Sequence, residues 1–254
     1  MSGNGEPRPS LAVVIPMYNE EAGAAECVSV VCRRLQQLPT RACLIAVDDG
    51  SMDGTGAMLA RLASSEPRLE VVTHRGNRGY GAALRSGVEA AARSGYDYVL
   101  FMDSDLTNAP DDIPRFLDAM TPGVDVIKAT RYRGGGGMRG VPIRRQIISR
   151  TGGLVARVLF HAGVSDCTNG FRAVRTSLLM RLQLRERRFP VIVEELYCCI
   201  FIARKFAEVP VVLTDRQAGL RPTSFAYRPS VVWRYLKYAL LACLRVPPTG
   251  RIAA

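Results

Sequence analysis

Histidine is almost missing from this chain: His74 and His161 are the only two in 254 residues. So few imidazoles argue against His-based metal centres and nucleophilic triads. The seven cysteines, at 27, 32, 43, 167, 198, 199 and 243, are odd in number and show no CxxC spacing. Neither a disulfide framework nor a zinc site follows from that pattern, and reduced, buried thiols are expected. No run of 18 apolar residues occurs, so no clear membrane-spanning helix is expected. The opening stretch MSGNGEPRPS lacks the apolar core of a secretory leader, which gives the expectation of a cytoplasmic protein.

Carboxylates are missing locally. Residues 126–165 hold eight basic side chains and no acidic one, and residues 216–254 hold seven and none. Residues 1–125 carry 11 basic and 17 acidic groups, a net of −6, whereas 126–254 carry 23 and 6, a net of +17. A surface facing anions is implied. No helix-turn-helix, RNP-type or zinc-finger pattern accompanies the charge, so nucleic acid is not the expected partner. Phosphorylated small molecules and anionic lipid headgroups fit.

What is present is ample core material, with 48% hydrophobic residues, enough for one large α/β domain and too much for disorder. Apolar strand-like runs at 11–16, 43–47, 69–73, 97–102 and 124–129 alternate with helical patterns at 20–36, 54–65, 80–94 and 111–120. Alternation of this kind predicts a mostly parallel central sheet flanked by helices, with ligands at the carboxyl ends of the strands. Asn19 is expected to cap the first helix. Four consecutive glycines at 134–137 read as a mobile loop, placed by position as a lid over a bound ligand. Helices at 146–161, 190–204 and 229–245 and a strand at 208–213 complete the pattern. The expected organisation is a polar tail 1–10, a catalytic domain 11–228, and a C-terminal helix and tail 229–254. That last helix carries Arg234, Lys237 and Arg245 beside Trp233, Leu236, Leu240 and Leu244. It suits packing on the domain or lying on an anionic membrane.

Three clusters fall at strand ends. Asp103, Ser104 and Asp105 follow the fourth run, and carboxylates at i and i+2 repel unless a cation sits beside them. Hard divalent ions such as Mg²⁺ or Mn²⁺ take oxygen ligands and share them with a diphosphate. Asp48 and Asp49, before Gly50 and Ser51, can accept hydrogen bonds from a base or a ribose, while Ser51 can cap the next helix. Pro16, Tyr18 and Glu20 end the first run. The plainer readings are a capping Asp pair, an Asx turn and a strand-to-helix turn. The segment NRGYGAALRSG lacks the third glycine of a dinucleotide fingerprint and follows the third strand.

Taken together, VVIPMYNE (13–20), VDDGSMDGT (47–55), NRGYGAALRSG (77–87), YVLFMDSDL (98–106), ATRYRGGG (129–136), DCTNGFRA (166–173) and EVPV (208–211) resemble one family. It is the inverting family-2 glycosyltransferases of GT-A fold, and within them the dolichyl- or polyprenyl-phosphate mannose and glucose synthases. By that resemblance Asp48 or Asp49 holds the nucleoside, with Pro16, Tyr18 and Glu20 lining its pocket. Asp103 and Asp105 bind Mg²⁺ or Mn²⁺ and the donor diphosphate, with Ser104 between them. Arg78 points at the nucleotide sugar, and Arg131 and Arg216 neutralise phosphates. Two departures stand out. Thr107 occupies the position where the family's synthases usually have Gln, and Arg221 follows Gly219 and Leu220 where the family usually continues Ser-Lys.

The implied reaction moves a hexose from a nucleotide-diphosphate sugar to a polyprenyl phosphate, with possible peripheral contact at the inner face of the membrane. A soluble hydroxyl acceptor, a catalytically silent nucleotide-sugar-binding domain and a nucleotidyltransferase are the alternatives. A hydroxyl acceptor needs a general base, for which Glu194, Glu195 and Asp166 are candidates. A phosphate monoester is already largely dianionic at neutral pH and needs none.

Overall fold

The structure, a computed structural model, describes residues 8–141, 143–214 and 229–253. In chain order the elements are β1 (Leu11–Met17), α1 (Glu21–Gln36), β2 (Ala42–Asp48), α2 (Thr55–Ala63), β3 (Leu69–Thr73), α3 (Tyr80–Arg93) and β4 (Tyr98–Phe101). A 3₁₀ turn at Pro110–Asp112 leads into α4 (Ile113–Ala119), followed by β5 (Val126–Thr130), β6 (Gly137–Arg139) and α5 (Ile143–Phe160). Then come β7 (Arg172–Arg175), α6 (Thr176–Leu179), α7 (Val191–Ile202), β8 (Phe206–Pro210), β9 (Val212–Thr214) and α8 (Pro229–Cys243).

Seven strands form one sheet in the order β3-β2-β1-β4-β7-β5-β8. Only β7 runs against its neighbours; the β1–β2, β2–β3, β1–β4 and β5–β8 pairs are parallel. Both faces are covered, which is why β1 and β2 read as unbroken apolar runs. Leu11, Val13, Ile15 and Met17 pack toward α1, α2 and α4, while Ala12 and Val14 face α3, α6 and α7. Gly87 lets α3 settle directly on Val14, because a Cβ there would collide with that side chain. A third cluster joins α5, α7 and α8 through Ala156, Phe160, Leu196, Tyr197, Tyr238, Ala239 and Ala242. The C-terminal helix is therefore docked on the domain.

Several local expectations are corrected. Asn19 does not cap α1; it sits at φ +53° and its Oδ1 accepts the Met52 amide at 2.8 Å. Ser51 does not cap α2, which begins at Thr55 after Gly54; its Oγ accepts the Asn19 amide at 3.0 Å. The glycine run ends in a strand: Gly137 to Arg139 pair in parallel with Val212 to Thr214. The expected strand 208–213 thus splits into β8 and β9, each in its own sheet. Strand β7, four residues long with Arg at both ends, carried no alternation to announce it. Of the cysteines, six are buried and Cys243 is exposed. Burial pushes the Cys32, Cys167 and Cys198 thiols up to about 12 and Cys43 to about 11, so these stay protonated and inert.

Candidate active site

The chain leaves β1 toward β2 and β3 on one side, then returns to place β4 on the other side of β1. Such a switch of direction opens a crevice at the carboxyl ends of the two strands. Tyr18 and Glu20 follow β1 there, and Asp103, Ser104 and Asp105 follow β4. Asp48 and Asp49 end β2, Arg78 lies between β3 and α3, and Arg131 ends β5. Strand topology alone thus brings Pro16, Tyr18, Glu20, Asp48, Asp49, Arg78, Asp103, Ser104, Asp105 and Arg131 to one edge of the sheet. Arg216 lies outside the described residues.

The two aspartates of β2 differ in what they hold. Asp48 is 3% exposed, and its Oδ1 accepts the Ser51 amide at 2.9 Å. Asp49 is fully engaged by protein. Its Oδ1 meets His74 Nδ1 at 2.7 Å and the Arg78 amide at 2.9 Å, and its Oδ2 accepts the Gly79 amide at 2.8 Å. Backbone bonds sew the same region together, from Asp49 N to Met17 O at 2.8 Å and from His74 N to Asp48 O at 2.9 Å. Gly50, at φ +72°, lies directly against Gly76, and a Cβ would clash with that backbone. Between the two, Asp48 has the freer carboxylate for a nucleoside, and Asp49 fixes the loop 76–79.

Asp105 is 9% exposed, and its Oδ1 takes the Thr107 amide at 3.1 Å and hydroxyl at 2.8 Å. The Tyr80 hydroxyl donates to Asp103 Oδ1 at 3.1 Å, and the Tyr80 ring stacks on Phe189 at 4.7 Å. Burial, with the Asp103 charge second, raises the Tyr80 hydroxyl well above its usual range, so it remains a donor. Gly170 brings the loop before β7 up to this pair, where a Cβ would stand 3.8 Å from Asp103 Oδ2. Among the described residues no group of three His, Cys, Asp or Glu could hold a metal. The donor set is two carboxylates, which fits a hard divalent ion that takes its other ligands from diphosphate and water.

Beyond β4 the charged groups are internally paired. Arg131 grips Asp166, Nε to Oδ2 at 2.7 Å and Nη2 to Oδ1 at 2.9 Å, and also donates to Ser149 Oγ at 3.0 Å. Burial works to raise the Asp166 carboxyl, yet the Arg131 charge and hydrogen bonds together with the Lys128 charge hold the group below its usual range. Glu195, expected as a catalytic carboxylate, is 3% exposed and clamped by Arg172 at 2.6 and 2.7 Å. Both oxygens of that carboxylate are spent on the Arg172 guanidinium, a bidentate pair that fixes Arg172 in the core. Arg172 in turn lies 4.2 Å over the Phe101 ring and donates to Gly170 O at 2.7 Å. Glu194 is tied to the Arg185 and Glu186 amides at 2.7–3.0 Å and to the Arg251 guanidinium. All three candidate bases are committed.

Tyr80, His74, Arg172 and Lys128 were missed as parts of this edge. Tyr80 lies in the segment 77–87, where the glycine spacing is the stronger sequence signal. Lys128 is 1% exposed, with Nζ on Asn169 O at 2.7 Å. Burial, then the neighbouring Arg172 charge, lowers its ammonium to about 8 against the pull of Asp166 and Glu195. A lysine and an arginine inside a core leave no sequence signal, because their ordinary place is the surface.

Comparison with known proteins follows the same outline. The polyprenol monophosphomannose synthase of Mycolicibacterium smegmatis is 33% identical over 216 residues, covering 84% of this chain and 80% of that protein. The undecaprenyl-phosphate mannosyltransferase of Micrococcus luteus is 29% identical over 209 residues, covering 81% and 84%. The crystal structure of glucosyl-3-phosphoglycerate synthase from Mycobacterium tuberculosis, in complex with Mn²⁺, UDP and glucosyl-3-phosphoglycerate, superposes with a TM-score of 0.66 at 23% identity. That match covers 95% of this chain and 82% of the other, and shows a shared fold. The family described as glycosyl transferase family 2 matches residues 12–183, and this chain belongs to it.

Proposed function

We propose that the protein transfers a hexose from a nucleotide-diphosphate sugar to a polyprenyl phosphate, with inversion at the anomeric carbon. The observation that carries the acceptor assignment is the commitment of Glu194, Glu195 and Asp166 to arginines and backbone amides. A hydroxyl acceptor would need a free base, which these three do not supply; a phosphate dianion attacks without help. The names of the two mannosyl-transferring relatives support the same acceptor class.

In this reading Asp48, Pro16, Tyr18 and Glu20 take the nucleoside, and Arg78 stands at the donor. Asp103 and Asp105 hold Mg²⁺ or Mn²⁺, which when bound neutralises charge developing on the leaving diphosphate. The Tyr80 hydroxyl orients Asp103, and Thr107 orients Asp105. Arg131, aimed by Asp166, serves the phosphates, and the same role is assigned to Arg216 from the sequence. Rate comes from holding acceptor and anomeric carbon in line.

A lipid acceptor requires access to a bilayer surface, and α5 and α8 supply it. On α5 the exposed Ile143, Ile147, Leu154 and Val158 fall within about 60° of one another at 100° per residue. Exposed Arg150 and Arg157 flank that row. On α8 the exposed Val232, Trp233 and Leu240, with Leu244 just past its end, stand beside Arg234 and Lys237. Both rows point away from the core that the two helices share. Apolar rows edged by arginine and lacking carboxylates fit an anionic membrane interface. Among the described residues no helix is long and apolar enough to cross a membrane, so this contact is peripheral.

Incubation with Mn²⁺ or Mg²⁺ and a panel of GDP- and UDP-sugars, with and without polyprenyl phosphate, tests the assignment through released nucleoside diphosphate. Release that depends on the lipid phosphate supports it. Equal release with a soluble sugar or phosphorylated small acceptor moves the reading to a soluble acceptor.

A further inference from the structure

A buried relay of three side chains lies beneath the loop 76–79. His74, 7% exposed, contacts Asp49 Oδ1 through Nδ1 at 2.7 Å and Ser86 Oγ through Nε2 at 2.9 Å. Asp, His and Ser in a row resemble a hydrolytic triad, but the surroundings differ. Ser86 sits in the second turn of α3, and Asp49 spends its remaining bonds on the Arg78 and Gly79 amides. With the proton on Nδ1, the imidazole donates to Asp49 and its Nε2 accepts the Ser86 hydroxyl. That arrangement satisfies every polar atom of the ring.

We infer that His74 is a positioning residue for donor binding: it fixes the Asp49 carboxylate, through which the loop 76–79 is held against the end of β2. The chain of contacts is continuous. Asp49 receives the amides of Arg78 and Gly79; Gly79, at φ +93°, turns the backbone into α3. The first residue of α3 is Tyr80, whose hydroxyl reaches Asp103. A shift of Asp49 therefore moves both Arg78 and the hydroxyl that orients an aspartate of the diphosphate site. His74 touches no substrate in this scheme. Its effect passes through Asp49, and one nitrogen matters, Nδ1. The inference rests on reading this edge as the donor site.

Two side chains separate the ring's two contacts. Asparagine places its amide nitrogen where Nδ1 stands and keeps the donor to Asp49. Glutamine reaches toward Ser86 and leaves Asp49 without its partner, and leucine supplies neither. Binding of GDP and of UDP in the presence of Mn²⁺, by calorimetry, should show His74→Asn within about twofold of wild type. His74→Gln and His74→Leu should bind about tenfold more weakly, the scale of one hydrogen bond to a charged group. Melting temperatures without nucleotide report the packing loss separately, and all three variants share it. Equal nucleotide affinity in the three variants, or affinity that tracks melting temperature instead of the amide's position, overturns the inference alone. Wild-type protein that binds neither nucleotide overturns the donor-site reading and the inference with it.

Discussion

The segment from β1 to β4 and the segment from β5 to α8 handle charge in opposite ways. In the first, carboxylates outnumber bases, and those at strand ends bond mainly to backbone amides and hydroxyls: Asp48 to Ser51, Asp49 to Arg78 and Gly79, Asp105 to Thr107. In the second, few carboxylates meet many guanidiniums, and several are locked in buried pairs such as Arg131 with Asp166 and Arg172 with Glu195. Backbone-held carboxylates form a rigid anionic rim that suits a cation and a nucleotide. The pairs commit the carboxylates, and the positive excess comes from the basic side chains that outnumber them, 23 to 6 over residues 126–254. Under the proposed function, the contrast would divide labour between donor and acceptor.

The sharpest way to break that contrast is at its anionic rim. Asp105→Ala should lower kcat/KM by roughly 10²–10³-fold, since it removes one of the two carboxylates of the proposed metal site. Mn²⁺-dependent nucleotide binding should weaken in parallel while the melting temperature holds. Retained turnover would remove the metal from the account.

Glu195 sharpens the comparison on the other side. Glu195→Gln leaves Arg172 buried without its counter-charge, a loss of about 3–5 kcal/mol for breaking such a pair. Thermal unfolding should show it, and Arg172→Met combined with Glu195→Leu should recover much of the melting temperature. A base would behave otherwise, with activity lost at unchanged stability.

Much of this organisation was legible along the chain. The strand runs ending at Met17, Asp48 and Phe101 are continuous apolar stretches, so the residues just after them could be assigned to the carboxyl edge. Roles were harder. Asp48 and Asp49 are adjacent and alike in sequence; what separates them is His74, 25 residues away, and the Arg78 and Gly79 amides. Glu195 looks available because a glutamate near a helix start ordinarily faces water. Nothing local announces that Arg172 folds over Phe101 to meet it. Strand β7 is short, charged at both ends and inserted antiparallel between β4 and β5, and such a strand is defined by its neighbours. The glycines at 134–137 promise flexibility, yet β9 recruits the last of them into a ladder.

Smaller effects belong to pH. Burial alone would raise the Asp125 carboxyl, but hydrogen bonds from Arg204 and Arg175 hold it at about 2. A depressed carboxylate contributes stability above its unfolded pKa, and that contribution disappears as pH falls from about 4 to about 2. Asp125→Asn should therefore melt a few degrees lower at pH 7, with the gap closing across that window. Lys128 carries the opposite sign. Its folded pKa of about 8 lies below the usual lysine value, so the unfolded chain binds the extra proton between about pH 8 and 10 and stability rises there. Lys128→Met should flatten that rise; an unchanged slope would place Lys128 in water.

The division between donor and acceptor surfaces is tested most directly with Ile147→Glu, Leu154→Glu and Val158→Glu combined in one protein. Three quantities are read together: GDP or UDP affinity with Mn²⁺, turnover on long-chain polyprenyl phosphate in anionic vesicles, and turnover on a short, water-soluble prenyl phosphate. Nucleotide affinity and short-chain turnover should match wild type, while vesicle-borne substrate is lost by tenfold or more, roughly the worth of three apolar side chains at an interface. Equal loss on both acceptors, or none on either, would contradict the account.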